Sequence, residues 1–418
     1  MKKPTDRELI VSLDIGTNKI TVLVGEILDE KNINIIGIGN CNSKGVIRGE
    51  IVDLESVTQC IKIAITNAEN IAKCNISSLF VSISGKDINC QNERGIVAIS
   101  DEEVNKEDVE NVIYIAQSIK ISNKKKVIHV IPQEYTIDDQ NGIKNPIGLS
   151  GIRMQANVHL TTCDNNLAKN IIKSIEKCNI TINQLIFSGI ASSYAVITEE
   201  EKKFGVCVID IGGGTIDITI FINEVIQYNK VIPYAGNIVT DDISYAFNLL
   251  KNDAEFIKIN YGSCIHKNIE KEEKTKFIKL KNKDIKPILK YELFQVIEAR
   301  YIELLQLVNV EISAIKNILE YQINKKISLS IVLTGGGSKI KYLVPCAKKI
   351  FCNKNIRIGN PIKIKGLTEI ITDPIYSTPV GLLHYGRINK INNKINNKNI
   401  KNFNSYLKYI YQWLKKEF

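Results

Sequence analysis

Residues Gly205–Ile220 read GVCVIDIGGGTIDITI, an apolar run that ends in an acid, breaks on three glycines and resumes in alternation. Val206, Cys207, Val208 and Ile209 suit a buried strand, and Ile216, Ile218 and Ile220 alternate with Asp217 and Thr219 as a second strand does. Between them, Gly212, Gly213 and Gly214 permit positive φ and leave no Cβ between backbone N–H groups and an incoming anion. The pattern predicts a phosphate-holding hairpin. Asp210 and Asp217 flank its turn. Carboxylates repel phosphate unless a divalent cation stands between, so the arrangement implies Mg²⁺, a hard ion that takes oxygen ligands and keeps several waters. An ordinary glycine-rich turn with exposed acids is the competing reading.

Two further stretches favour the first reading. Leu9–Val24, LIVSLDIGTNKITVLV, repeats the strand, the Asp-Ile-Gly turn and the strand. Asp14, Ile15 and Gly16 match Asp210, Ile211 and Gly212; skipping two glycines matches Thr17 to Thr215 and sets Lys19, a cation suited to a phosphate oxygen, where Asp217 stands. The separation is far too long for a solenoid repeat and predicts two related halves facing across a cleft. Ile331–Lys339, IVLTGGGSK, is a third buried strand ending in glycines. Its turn, Gly335, Gly336 and Gly337, is expected to lie flat against a base or ribose.

In this order and spacing the motifs resemble the phosphate and adenosine loops of the actin, heat-shock chaperone and sugar-kinase superfamily. RMQANVHL at Arg153–Leu160, KVIPYAGNIVTDDI at Lys230–Ile243, VLTGGGSKIKYL at Val332–Leu343 and YSTPVGLLHYG at Tyr376–Gly386 narrow the resemblance to the FtsA family of bacterial cell-division proteins. So do HVIPQEY at His129–Tyr135, IKNPIGLSG at Ile143–Gly151 and the closing WLKKEF. The fold implied is α/β: an actin-like two-half fold with a nucleotide cleft, an α+β insert in each half and a C-terminal amphipathic helix. The expected first core domain is 1–85, completed by 163–202 and about 359–386, with the family's own insert at 86–162. The second is 203–239 and 300–358, with an insert at 240–299.

The resemblance implies ATP as ligand, with Gly16, Thr17, Asn18 and Lys19 on one side of the phosphates and Gly212, Gly213, Gly214 and Thr215 on the other. Asp14, Asp210 and Asp217 would surround Mg²⁺ largely through waters. Asp210 is the candidate to orient an attacking water, as hydrolysis requires; slow turnover at most is expected. On the long helix of the second half, Arg300 and Glu303 are candidate base or ribose ligands, a solvated helix face being the alternative. Implied partners are the C-terminal peptide of the tubulin-like protein FtsZ, bound by the second insert, further copies of the chain in an actin-like polymer, and later division proteins. The first insert serves protein contacts under this resemblance; by its sequence alone it is equally a passive lid, with helices starting at DEEV and KEDVENV. Rival classes are a chaperone-like or sugar-kinase-like ATPase and a cytoskeletal actin-like filament protein. No nucleic-acid partner is expected.

Composition fits this reading. A chain of 418 residues, 44% hydrophobic and 24% charged, is an ordinary globular protein with room for several domains. Its ten cysteines include no Cys-x-x-Cys pair, as in a reduced cytosolic protein, and its four histidines lack zinc-ligand spacing. No segment reaches the roughly 18 apolar residues of a spanning helix, and MKKPTDRE leads into a strand and not a signal peptide.

The net charge of +10 is concentrated at the end: Arg387–Phe418 holds eight Lys or Arg against one acid, Glu417. Residues 387–402 read as a disordered basic linker. In 403–418, FNSYLKYIYQWLKKEF, Phe403, Tyr406, Leu407, Ile410, Trp413 and Leu414 share one helical face, with Lys408, Gln412 and Lys415 opposite and Lys416 beside them. Such a helix suits an anionic membrane surface: Trp and Tyr at headgroup level, lysines on the lipid charge. The expected location is the cytoplasmic face of the inner membrane, peripheral, at the division site.

Overall fold

The structure, a computed structural model, describes residues 8–29, 32–118, 122–265, 277–278, 287–323, 326–353 and 355–391. Two sheets share one order of strands. In the first half that order is Thr181–Phe187, Ser78–Ile83, Leu9–Ile15, Lys19–Ile27, Ile33–Asn42, with Ile364–Gly366 added at the edge. In the second it is Ile356–Ile358, Ser330–Thr334, Val206–Ile211, Ile216–Ile222, Val225–Ile232. In each, the first motif strand pairs antiparallel with the strand after its turn and parallel with one that returns after a crossover. The chain is therefore built of two related halves, as the repeated motif predicts.

The crossover of the first half is the helix Leu54–Ala72. Asp53, extended at its start, accepts from the backbone N–H groups of Glu55 and Ser56, satisfying donors that a helix end leaves free. Val57, Ile61, Ala64, Ile65, Ala68 and Ala72 are buried at helical spacing, and Ile71 is exposed. One apolar core lies within the second half; the other joins the first half to one face of the second sheet through Val206, Val208, Phe221 and Val332.

Between Ser78–Ile83 and the helix Asn165–Glu176 the chain leaves the first sheet and makes a separate antiparallel one, in the order Asn89–Ala98, Arg153–Asp164, Lys125–Ile137, Gln140–Ile143. One helix, Lys106–Gln117, packs on it through Val112 and Ala116. It starts at a reciprocal cap between Asn105 and Asp108, so the expected helix at DEEV does not form: Glu103 bridges to Ser150 instead.

The halves are joined by the helix Ser188–Val196 and by a helix over 377–391. Small residues set the approach of these two crossings. A Cβ on Gly381 would lie 1.7 Å from the Ala191 carbonyl oxygen. The second crossing also corrects the expected linker, because residues 387–391 are helical. Arg387 is buried, Asn389 donates to Gln184 at 2.9 Å and Lys390 to the Leu9 carbonyl at 2.8 Å, so polar groups that look solvated in sequence find partners on the first half. The rest of the expected linker and the membrane-binding helix at 403–418 lie outside the described residues. Among the described residues no helix is long and apolar enough to cross a membrane.

Candidate functional site

The two motif hairpins face each other across a cavity of about 420 Å³. Their turns close identically: Gly16 N–H donates to the Lys19 carbonyl at 3.1 Å and Gly212 N–H to the Thr215 carbonyl at 2.9 Å. Register then fixes the equivalences. Asp14 stands opposite Thr21 across its hairpin, and Asp210 stands opposite Asp217. The turns have equal length, so no glycines are skipped. This corrects the sequence alignment: Thr17 corresponds to Gly213, Lys19 to Thr215, and Asp217 to Thr21.

Asp14, Gly16, Thr17, Asn18, Lys19, Asp210, Gly212, Gly213, Gly214, Thr215, Asp217, Gly335, Gly336 and Gly337 all line the cavity. Arg300 and Glu303 do not. The Arg300 guanidinium grips Asp242 through Nε at 2.5 Å and Nη2 at 2.9 Å, and its Nη1 holds Glu303 at 2.6 Å. A fork already engaged by two carboxylates is turned from the cleft, so the expectation for this pair is revised. The same helix, Lys290–Ile323, reaches the cavity through Tyr301, whose hydroxyl donates to the Gly337 carbonyl at 2.9 Å and pins the third glycine turn.

Three acids face the cleft: Asp210 and Asp217 are buried and Asp14 is half-buried. Ser82 Oγ donates to Asp14 Oδ1 at 2.7 Å, Ser84 Oγ to Asp217 Oδ1 at 2.8 Å and Thr378 Oγ1 to Asp210 Oδ2 at 3.0 Å. Burial raises all three acids, Asp210 to about 6; the charge of Asp14 adds to the effect on both Asp210 and Asp217, and Asp210 also raises Asp217. Burial draws the Lys19 ammonium down to about 8 against the attraction of Asp14 and Asp373, and its Nζ sits 3.8 Å from the Tyr376 ring centroid. Each of these charges is costly without a countercharge. An anion beside Lys19 and a hard divalent cation near the acids would offset that cost, and the oxygen donors suit such a cation. Among the described residues no group of three or more His, Cys, Asp or Glu could hold a metal ion.

A model of the SHS2 domain inserted in FtsA matches residues 85–162, and a model of the cell division protein FtsA matches 207–381. The cell division protein FtsA of Escherichia coli (strain K12) is 48% identical over 421 residues, all of both chains. That of Buchnera aphidicola subsp. Acyrthosiphon pisum (strain APS) is 52% identical over 414 residues, 99% of each.

The chain belongs to the FtsA family.

Solved structures extend the likeness of this FtsA-family chain in fold alone. A chain from the PilM-PilN type IV pilus biogenesis complex superposes with a TM-score of 0.63 at 16% identity, covering 91% of this chain and 98% of that one. MreB 5 of Spiroplasma citri, bound to AMPPNP, gives 0.50 at 17% identity over 94% and 98%.

Sequence reading missed several residues of the FtsA-family cleft. Ser84, Gly236, Glu255, Lys258, Tyr301 and Thr378 line it from five different segments. Lys258 is buried, bonded to the Gly236 carbonyl at 2.9 Å, to Thr240 at 2.8 Å and to Glu255 at 2.6 Å. The one available signal was Glu255 and Lys258 at i,i+3 on a helix, a spacing common on solvated faces.

Proposed function

We propose that this FtsA-family chain binds ATP with Mg²⁺ between its two glycine turns and acts as an adaptor. In that role it anchors FtsZ filaments to the cytoplasmic face of the inner membrane, assembles the Z ring and recruits later division proteins. The observation that carries the reading is the cavity between two turns closed by the same backbone bond, lined by Lys19 and by Asp14, Asp210 and Asp217. Asp14, Asp210 and Asp217 would hold Mg²⁺ through waters; when bound, the ion neutralises phosphate charge. Gly16–Lys19 and Gly212–Thr215 cradle the phosphates, and Gly335–Gly337 the adenosine. Asp210 is the candidate for orienting an attacking water, and turnover is slow at most. ATP serves chiefly as a conformational and assembly ligand.

The second-half insert supports the assignment of the FtsZ peptide to its surface, because Tyr245, Leu250 and Phe256 are exposed there. The tail supplies the membrane contact through Tyr406, Leu407, Ile410, Trp413 and Leu414, with Lys408, Lys415 and Lys416 on anionic lipid. Polymerisation of the actin-like body adds avidity to a weak single anchor. Calorimetric titration of the full chain with ATP, with and without Mg²⁺, tests the nucleotide step. Binding strengthened by Mg²⁺ is expected; no heat under either condition rejects it.

A further inference from the structure

Two motifs of the first insert, HVIPQEY and RMQANVHL, are not used by the cleft, nor is the strand Asn89–Ala98. The insert leaves and re-enters the chain within the first half, yet many of its polar contacts go to Val225–Ile232, the outer strand of the second half. Gln133 Nε2 donates to the Ile226 carbonyl at 2.7 Å and to Gln227 Oε1 at 3.1 Å. Asn92 Nδ2 donates to the Gln227 carbonyl at 3.2 Å, and the Cys90 thiol exchanges bonds with the backbone of Asn229 at 3.2 and 3.3 Å.

His159, fully buried, closes this set into a loop. Its Nδ1 is 2.6 Å from Asn92 Oδ1 and its Nε2 3.0 Å from Asn229 Nδ2. An amide nitrogen only donates, so Nε2 accepts and Nδ1 carries the proton. Bonds thus run from Asn229 through His159 and Asn92 back to Gln227, starting and ending on one strand of the second half. A second buried histidine of the insert meets both crossings. His129 Nε2 accepts from Phe187 N–H at 2.9 Å, at the start of the helix Ser188–Val196, and its Nδ1 lies 3.4 Å from the hydroxyl of Tyr385 on the helix over 377–391.

We infer that the first insert is a third connection between the halves, a strap that senses the angle of the cleft and couples nucleotide binding there to the surface the insert offers to partners. The physical reason is that the neutral hydrogen bonds of the buried Asn229 and His159 do not stretch: they are kept whole or lost at the full cost of desolvated donors and acceptors. If the halves rotate, the insert either follows the second half or leaves Asn229 and His159 unsatisfied. Coupling of this kind is reciprocal, so whatever draws the insert toward the second half also tightens nucleotide binding.

The coupling rests on the ATP reading above, and hydrogen exchange on the full chain with and without ATP tests both separately. In a chain that gives an ATP heat, ATP should slow exchange at the cleft turns and also in 89–94 and 129–135. Gln133→Ala with Asn92→Ala, outside the cleft, should keep the ATP heat and lose the distant slowing. Distant slowing that survives in the double variant overturns the inference, as does its absence in an intact chain that binds ATP. If the intact chain gives no ATP heat, the nucleotide reading fails alone, and the strap is judged without ligand. Exchange across the crossing 187–197 should then be roughly tenfold faster in the double variant, the effect of losing a few neutral hydrogen bonds. Unchanged exchange there overturns the strap.

Discussion

Thr378, on the second crossing helix, donates its hydroxyl to Oδ2 of Asp210, on the central strand of the second half, at 3.0 Å. The crossing is thereby tied to a buried acid of the second motif hairpin. Burial raises that carboxyl from 3.8 to about 6, with the charge of Asp14 adding to the shift against the hydrogen bonds of Ser192 and Thr378.

Asp210→Asn should therefore stabilise the ligand-free chain while weakening Mg²⁺-dependent ATP binding. A raised carboxyl contributes stability below about pH 4 and loses it as pH rises through about 6, so the gain is absent at low pH and complete, at about 3 kcal/mol, by pH 7. Thermal unfolding across that range checks it. A loss of stability at pH 7 would mean that Asp210 is a structural hydrogen-bond partner first.

The third glycine turn separates space from strain. Gly336 is exposed and a Cβ there meets only Ile375, at 3.3 Å, whereas Gly335 has φ +82° and its Cβ would lie 2.2 Å from Asp210 Oδ1. Gly336→Leu should fold with a stability change under about 1 kcal/mol and lose ATP binding; Gly335→Ala should be destabilised by more than about 1 kcal/mol. Unfolding curves paired with ATP titrations distinguish the two, and ordinary ATP affinity in Gly336→Leu would remove this turn from the site.

Burial lowers His159 from 6.5 to about 4. Between those values the unfolded chain takes up a proton that the folded chain refuses, so the stability linked to this group is full above about pH 6.5 and falls as pH drops toward 4. His159→Gln should flatten that part of the pH profile and cost about 1–3 kcal/mol at pH 7 through the lost bonds to Asn92 and Asn229. An unaltered slope between pH 4 and 6.5 would place His159 in a solvated site.

Trp413 is the single tryptophan of the chain, so its emission reports the tail alone. Anionic vesicles should shift it to the blue, neutral vesicles less, and salt should reverse the effect because each lysine near the surface adds on the order of 1 kcal/mol that salt screens. Trp413→Glu with Leu414→Glu should leave an ATP-binding chain that no longer sediments with vesicles. Emission indifferent to vesicles, with ATP present, would defeat the adaptor reading at its membrane step.

Much of this was decided by local sequence. Asp210 and Gly212–Gly214, read with Asp14 and Gly16, specify two hairpins, since strand alternation and glycine turns are encoded within a few residues. What alternation does not encode is the depth of the turn: the match of Thr17 to Thr215 failed because only the closing bonds, Gly16 to Lys19 and Gly212 to Thr215, count its residues. Arg300 and Glu303 looked available because an i,i+3 pair on a helix says nothing of Asp242, 58 positions away in the chain. Tyr301, Lys258 and Thr378 became cleft residues through packing of distant segments, and the strap at Gln133, Asn92 and His159 exists only because the insert folds back onto the edge strand of the opposite half. Sequence determined the elements and their turns, whose energies are short-ranged. The tertiary structure alone decided which side chains share a cavity, because that depends on contacts between segments whose order along the chain carries no distance.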